Sequence, residues 1–211
     1  MRATSKTGLG LKAAVGGLAF GLALGLGAGT AAQAANTYTF DKGHTKILFF
    51  WNHLGLSNQS ARFDDFDGQL VFDPEKPETS KIDVTIKTAS VDSDVPALDD
   101  HLKSADFFNA EKHPEITFVS KAVRKTGTDT GQVDGDLTIN GMTKPVTLDV
   151  TFNFMGEHPL SAFNENYKGA QYVAFSARTR VLRSDFNVGL YAPLTSDTVD
   201  IMIETELRKV E

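Results

Sequence analysis

The sequence contains no cysteine, so no disulfide bond can stabilise the fold and no thiol can serve as nucleophile or metal ligand. It also lacks the G-x-S-x-G turn of serine hydrolases and the glycine-rich loops that bind phosphate groups. The histidines, at positions 44, 53, 101, 113 and 158, form no H-x-H or H-x-x-x-H pair. These absences argue against an enzyme and against a metalloprotein, and we expect neither catalytic residues nor metal ligands.

A long apolar run occurs only near the N-terminus. Arg2, Lys6 and Lys12 precede a glycine-rich apolar run over residues 13–29, and the small-residue pattern Ala32-Gln33-Ala34 follows it. This order predicts a secretory signal peptide over residues 1–34, which leaves residues 35–211 as one domain. Glycines at positions 17, 21, 25 and 29 would share one helical face, so an uncleaved membrane helix is the alternative interpretation.

Basic residues are in the minority after this segment. Three of the 21 basic residues and none of the 27 acidic ones lie in residues 1–34, so the remainder has 18 basic residues and a net charge of −9. An acidic surface argues against nucleic acid as a partner and against electrostatic docking to anionic membranes. From the predicted signal peptide we expect a periplasmic protein of a Gram-negative bacterium, without stable membrane insertion after cleavage.

Most of the remaining chain alternates between apolar and polar residues, as β-strands do. The clearest case is residues 81–90, where Ile82, Val84 and Ile86 share one face. Residues 146–154 alternate over a longer run, and Asn140-Gly141 before them is typical of a two-residue hairpin turn. About eight such strands with short turns predict an all-β, eight-stranded antiparallel barrel of lipocalin type, and a two-sheet sandwich is the structural alternative.

One stretch, residues 96–118, departs from the strand pattern. Leu98 and Leu102 are spaced as on one face of a helix, and Pro96 suits a first helical position. Phe107 and Phe108 follow directly. We expect one short helix that closes one end of the barrel and packs its apolar face and both phenylalanines against the interior.

Phenylalanine is the most informative residue type, because 14 of the 15 phenylalanines follow residue 34 and many have inward parity. Eight-stranded barrels can be filled by side chains or hollow, and periodicity does not distinguish the two. A filled barrel would favour an interaction protein that uses an outer face. For a hollow barrel, the expected ligand-binding residues are Phe49, Trp51, His53, Phe63, Phe72, Val84, Ile86, Leu98, Leu102, Phe107, Phe108, Phe118, Leu137, Phe152, Phe154 and Phe175.

His53 shares its strand face with Phe49 and Trp51. It is either a buried histidine bonded to a backbone carbonyl or a hydrogen-bonding partner for the polar head of a ligand. An enzyme acting on a bound lipid, with His53 or His101 and a nearby aspartate as acid and base, is a further alternative.

Several segments resemble one known family over essentially the whole chain after residue 34. Residues 99–107 (DDHLKSADF) and 137–148 (LTINGMTKPVTL) closely resemble the signature segments of the YceI-like family of periplasmic polyisoprenoid-binding proteins, and residues 50–55, 63–68 and 184–186 also match. Leu98 and Ala61 depart from the usual pattern, in which arginine and glycine are common.

The resemblance implies a lipocalin-like barrel whose elongated apolar tunnel holds an isoprenoid chain of the ubiquinone or polyprenyl-phenol type. It implies no catalytic residues, and no cofactor apart from this bound lipid. We expect a binding protein for transport, storage or sequestration of the lipid. Pairing of two barrels into a homodimer stays open.

Overall fold

The computed structural model describes residues 35–211, and the predicted signal peptide over residues 1–34 lies outside the described residues. The single α-helix of this part is α1, Pro96–Lys103. The strands are β1 (Asn36–Phe40), β2 (Lys46–His53), β3 (Ser57–Phe63), β4 (Phe66–Phe72), β5 (Lys81–Lys87), β6 (Val91–Asp92), β7 (Glu115–Lys125), β8 (Thr130–Ile139), β9 (Met142–Glu157), β10 (Gln171–Leu182) and β11 (Thr198–Lys209). Over residues 35–211, no helix has the length and apolarity needed to cross a membrane.

Eight strands close into a ring in the order β1-β4-β5-β7-β8-β9-β10-β11, because β11 pairs with β1 again. Every pairing is antiparallel, and Phe40 lies opposite Leu207 where the ring closes. The predicted all-β, eight-stranded antiparallel barrel with one short helix is therefore confirmed. The sandwich alternative is wrong, since a sandwich leaves its sheets open at the edges.

Three of the strands are bent and appear as two consecutive segments each. The segments β1 and β2 both pair with β11, β1 near its C-terminal end and β2 through pairs such as Ile47 with Ile203. In the same way, β3 and β4 are two segments of a second bent strand, and β5 and β6 are two segments of a third. Segment β4 pairs with β5, and β3 pairs with β6, which follows β5 after a 3₁₀ turn at Thr88–Ser90. These bends let the chain follow a closed, tilted barrel.

Helix α1 lies at the end of the barrel where β2 and β3 meet in a hairpin. Pro96 occupies its first turn as predicted, and the carboxylate of Asp99 accepts hydrogen bonds from the backbone N–H and hydroxyl of Ser93, at 2.7 and 2.6 Å. Leu102 is buried in the core, and Leu98 packs against the same cluster. The helix thus presents its apolar face to the interior, as its periodicity predicts.

Bulges interrupt the simple alternation of two strands, β7 near Lys121 and β9, where the bulge moves a predicted site residue. Phe152 of β9 lies opposite Phe175 of β10, but Phe154 lies opposite Ala174, so that Asn153 is the extra residue of a β-bulge. A bulge reverses the parity of the residues beyond it. The expectation that Phe154 points inward is therefore wrong, whereas Met155 beyond it packs into the core beside Val173.

Candidate ligand-binding cavity

The barrel is hollow. Its interior holds a cavity of about 840 Å³, which is within the roughly 300–1,000 Å³ of small-molecule sites. The wall begins beside α1 and the β10–β11 loop, with His101 and Tyr191, and reaches the loops at the opposite end, with Pro74 and Lys125. The alternative of a barrel filled by its own side chains is therefore wrong.

Most of the predicted ligand-binding residues lie in the wall of this cavity, and their contact with a ligand stays a prediction. Phe154 is the exception, for the reason given above. The others that line the cavity are Phe49, Trp51, His53, Phe63, Phe72, Val84, Ile86, Leu98, Leu102, Phe107, Phe108, Phe118, Leu137, Phe152 and Phe175.

The prediction missed much of the wall on β9, β10 and β11. These residues are smaller and aliphatic. The prediction relied on phenylalanine and did not include them, although their alternation is regular. They include Val146, Leu148, Val150, Ala177, Val181, Val199, Ile201 and Ile203. A strict period-two count over β11 would have found its share of them.

Aromatic rings pack against one another along the walls instead of filling the centre. Near α1, Phe49 stacks on Trp51 at 5.7 Å and on Phe63 at 5.4 Å between ring centroids. Toward the other end, the rings of Phe72 and Phe175 meet edge-to-face at 5.5 Å. Such contacts add to the stability of the wall beyond area burial, so the cavity can persist without a ligand.

Glycine makes room for one of these rings. A Cβ atom at Gly135 on β8 would lie 2.4 Å from the ring of Phe118 and 2.6 Å from the carbonyl oxygen of Val119. Phe118 can therefore lie flat across β8 only because residue 135 has no side chain. The sequence offered no indication of this contact, since the two residues belong to different strands.

Polar groups inside the barrel are few and bonded to each other. The hydroxyl groups of Thr45 and Thr205, both buried, are 3.0 Å apart, and the Thr45 hydroxyl also donates to the carbonyl oxygen of Glu206. Over residues 35–211, no buried side-chain nitrogen or oxygen lacks a hydrogen-bond partner. The interior therefore suits an apolar chain better than a polar ligand.

The opening beside α1 carries the polar and aromatic groups. His53 is exposed at the end of β2, where it forms a bridge with Thr195, so the interpretation as a buried histidine is wrong. The Nε2 atom of His101 lies 3.2 Å from Asp106 Oδ2, and its ring meets Phe107 edge-on at 4.9 Å. A ligand with an aromatic or hydrogen-bonding head would find its partners at this opening.

Arg183 fixes the loop that borders this opening. Its guanidinium donates to four backbone carbonyl oxygens and one hydroxyl, namely those of Ser196, Val188, Leu190 and Thr195. Burial lowers the pKa of Arg183 from its usual value, and the nearby carboxylate of Asp197 acts against that shift. The guanidinium of Arg183 therefore holds the backbone of the loop in place.

A group of three residues on the outer surface has donor atoms within 4.8 Å of one another: Asp41, His44 and Glu206. Its closest pair is a hydrogen bond of 3.0 Å between His44 Nδ1 and Asp41 Oδ2. Asp41 also accepts from the backbone N–H of Gly43 and lies within reach of the Tyr172 hydroxyl. These bonds account for the arrangement without an ion.

A closed eight-stranded barrel with a long apolar interior, open beside a short helix, defines a lipocalin-like ligand-binding barrel. The model of the YceI-like domain family matches residues 38–207, and the chain belongs to this family, as the sequence motifs predicted. A UPF0312 protein of Azotobacter vinelandii is 40% identical over 198 residues, 93% of this chain and 97% of that protein. A UPF0312 protein of Pseudomonas putida strain W619 is 43% identical over 199 residues, with the same coverage.

Solved structures share the fold. BcnA of Burkholderia cenocepacia matches with a TM-score of 0.69 and 27% identity, over 79% of this chain and 98% of that one. The YCEI protein of Campylobacter jejuni matches with a TM-score of 0.67 and 33% identity, over 76% and 90%. A polyisoprenoid-binding domain from Saccharophagus degradans, at 10% identity and a TM-score of 0.59 over 83% and 99%, shows the similarity of the fold alone.

Proposed function

We propose that this protein encloses a long isoprenoid chain, such as that of an isoprenoid quinone or polyprenyl phenol, in its barrel. The observation that carries the proposal is the apolar cavity of about 840 Å³ running between the two ends of the barrel. Family membership supports it, as does the similarity in fold to the polyisoprenoid-binding domain of Saccharophagus degradans.

The affinity comes from burial of hydrocarbon. Each five-carbon unit moved from water into the barrel contributes roughly 3–4 kcal/mol before costs, at about 0.8 kcal/mol per carbon group. Ordering a flexible chain offsets much of this gain. Affinity should therefore rise with chain length until the cavity is full, and the head group at the opening mainly fixes the orientation.

The direct test is to extract the protein purified from its native cells and to identify the lipid by mass spectrometry. A second test uses Trp51, the only tryptophan of the sequence, which lies in the cavity wall. Added long-chain isoprenoid quinone should quench its fluorescence, and the effect should grow with the number of isoprene units. Recovery of no lipid, together with no quenching, would overturn the proposal.

A matched pair of variants separates binding from folding. Ala177 is buried in the cavity wall on β10, so Ala177→Trp should occupy the space of the ligand and weaken binding by at least about tenfold. Ala122 is exposed on β7, and Ala122→Trp should leave binding unchanged. Because each variant has a second tryptophan, retention of radiolabelled quinone is the measurement here. Equal binding by both variants would contradict the assignment of the cavity.

We further propose that the protein acts in the periplasm as a carrier or store of its lipid and has no catalytic role. The predicted signal peptide supports this compartment. The catalytic alternative through His53 or His101 has its own test. A His53→Ala or His101→Ala variant that keeps the bound lipid but loses a measured conversion of that lipid would identify an enzyme.

A further inference from the structure

Five large apolar side chains are exposed around the opening beside α1. The β2–β3 hairpin contributes Leu54 and Leu56, which are 49% and 80% exposed, and the β10–β11 loop contributes Leu190, Tyr191 and Leu194, at 38%, 55% and 70%. We name these five residues the apolar rim. Together they form a solvent-exposed apolar patch, and such patches on proteins mark interaction sites.

The two loops of the apolar rim form one surface next to the opening. The backbone N–H of Leu54 donates to the carbonyl oxygen of Leu194 at 3.2 Å. The neighbouring residues His53 and Thr195 form an antiparallel bridge. His53, Tyr191 and Thr195 themselves line the cavity. The rim is therefore continuous with the wall of the cavity at this end of the barrel.

The backbone of the rim is held in a conformation that its side chains disfavour. Leu54 has a φ of 58° at the start of the turn over residues 54–56 that joins the paired residues His53 and Ser57, a position where asparagine or glycine is usual. Tyr191 has a φ of 65° in the other loop. Both side chains stay about half exposed, although the ring of Tyr191 also lies beside those of His101 and Phe107. For Leu54, burial in the folded chain does not explain why a large apolar residue occupies this position.

The rim also lacks charge. Residues 52–58 and 187–197 contain no lysine or arginine, and their single acidic residue, Asp197, is turned back to accept hydrogen bonds from Ser184 at 2.6 and 2.9 Å. An uncharged apolar surface inserts into a bilayer interface with little desolvation cost. Without lysine or arginine it has little to attract anionic lipid head groups, which favours a zwitterionic or neutral partner surface.

We propose that the apolar rim docks onto the surface of a zwitterionic phospholipid bilayer and sets the opening of the barrel against the acyl chains. This inference rests on the proposed function, because a long isoprenoid resides in a bilayer and exposing it to water during transfer would be costly. Docking at the rim lets the lipid pass between bilayer and cavity without that exposure. The position of the rim at the opening favours this partner over a protein.

The test is flotation with phosphatidylcholine vesicles of the chain without residues 1–34, whose apolar run would bind vesicles by itself. Residues 35–211 contain the complete closed barrel. The Leu56→Ser/Leu194→Ser variant should reduce the vesicle-bound fraction roughly tenfold or more, since two large side chains lose their burial. The control is Leu160→Ser/Phe163→Ser, which removes two exposed apolar residues, 47% and 85% exposed, from the loop at the opposite end. It should bind vesicles as the unaltered protein does.

Quinone added from ethanol, followed by Trp51 fluorescence, keeps this inference distinct from the proposed function. The rim variant should bind such free quinone normally but take it up from vesicles more slowly. Vesicle binding without any quinone binding would support the rim and refute the proposed function. Three results would overturn the inference: no flotation of the unaltered protein, equal loss in the control variant, or a dimer in light scattering that the rim substitutions dissolve.

Discussion

The guanidinium of Arg183 holds Thr195 through two hydrogen bonds, one to its carbonyl oxygen at 2.8 Å and one to its hydroxyl at 2.5 Å. The two residues are joined across the base of the loop that borders the cavity opening. No charged side chain forms a salt bridge with Arg183 among those that the structure resolves in residues 35–211. The loop therefore depends on hydrogen bonds from one half-buried cation to its backbone.

Arg183→Gln should destabilise the protein by roughly 2–3 kcal/mol, because several carbonyl oxygens lose a charged donor. Urea unfolding measures the loss, and hydrogen exchange should show faster opening of residues 188–196. Arg180→Gln is the matched control, since its pair with Asp200 is exposed on the surface and should contribute little to stability. Similar losses in both variants would contradict this role of Arg183.

Gly135→Ala should destabilise the barrel by roughly 1–3 kcal/mol, because the new methyl group meets the ring of Phe118 and the backbone of β7. A second substitution, Phe118→Leu, removes the ring and should restore part of the loss. The free energies of unfolding of the single and double variants give the coupling between the two positions. Strict additivity would show that the ring and Gly135 do not constrain each other.

Phe152→Asp and Phe154→Asp should have opposite effects on lipid binding, although the two residues are only two positions apart. Phe152 lines the cavity, so a carboxylate there should abolish quinone binding, whereas Phe154 lies beyond the bulge and outside the wall. Trp51 fluorescence measures binding, and circular dichroism checks that both variants fold. Loss of binding in both would mean that the bulge does not turn Phe154 away.

The pKa of His44 should be raised above its usual 6.5, because the ring is hydrogen-bonded to the carboxylate of Asp41 and attracted by its charge. The resulting stability is fully present below pH 6.5 and is lost as the pH rises through the raised value. Half of the His44 side chain is exposed, so the contribution should be only a few tenths of a kcal/mol.

NMR titration of the His44 ring tests this prediction. In Asp41→Asn, the pKa of His44 should return toward 6.5. Burial raises the pKa of Asp41, but the hydrogen bonds from His44 and Gly43 outweigh it and lower the pKa overall. Stability from Asp41 should therefore be lost only in acid, as the pH falls below about 3.8 through the lowered value.

The sequence predicted the ring of strands and the aromatic part of the cavity wall for one physical reason. Where one face of a strand is buried and the other is exposed to solvent, the alternation of apolar and polar residues specifies the register. Val84 and Ile86 on β5 are an example. The same rule failed at Phe154, because Phe152-Asn153-Phe154 reads as perfect alternation while a bulge adds one residue there.

Other features depend on contacts between distant segments, which periodicity does not record. A hollow and a filled barrel have the same alternation, so the cavity could not be predicted from it. The packing of Phe118 over Gly135 and the bonds of Arg183 to its loop likewise join residues by tertiary structure. The exposed leucines of the rim have no periodic pattern at all.

The pairing of Tyr38 with Lys209 ties the first strand of the barrel to the last one synthesised. The ring cannot close until nearly the whole chain has been synthesised, because the pairing that closes it joins β1 to β11. A chain that ends before β11 therefore leaves β1 and β10 each without a partner strand on one side and cannot enclose the cavity.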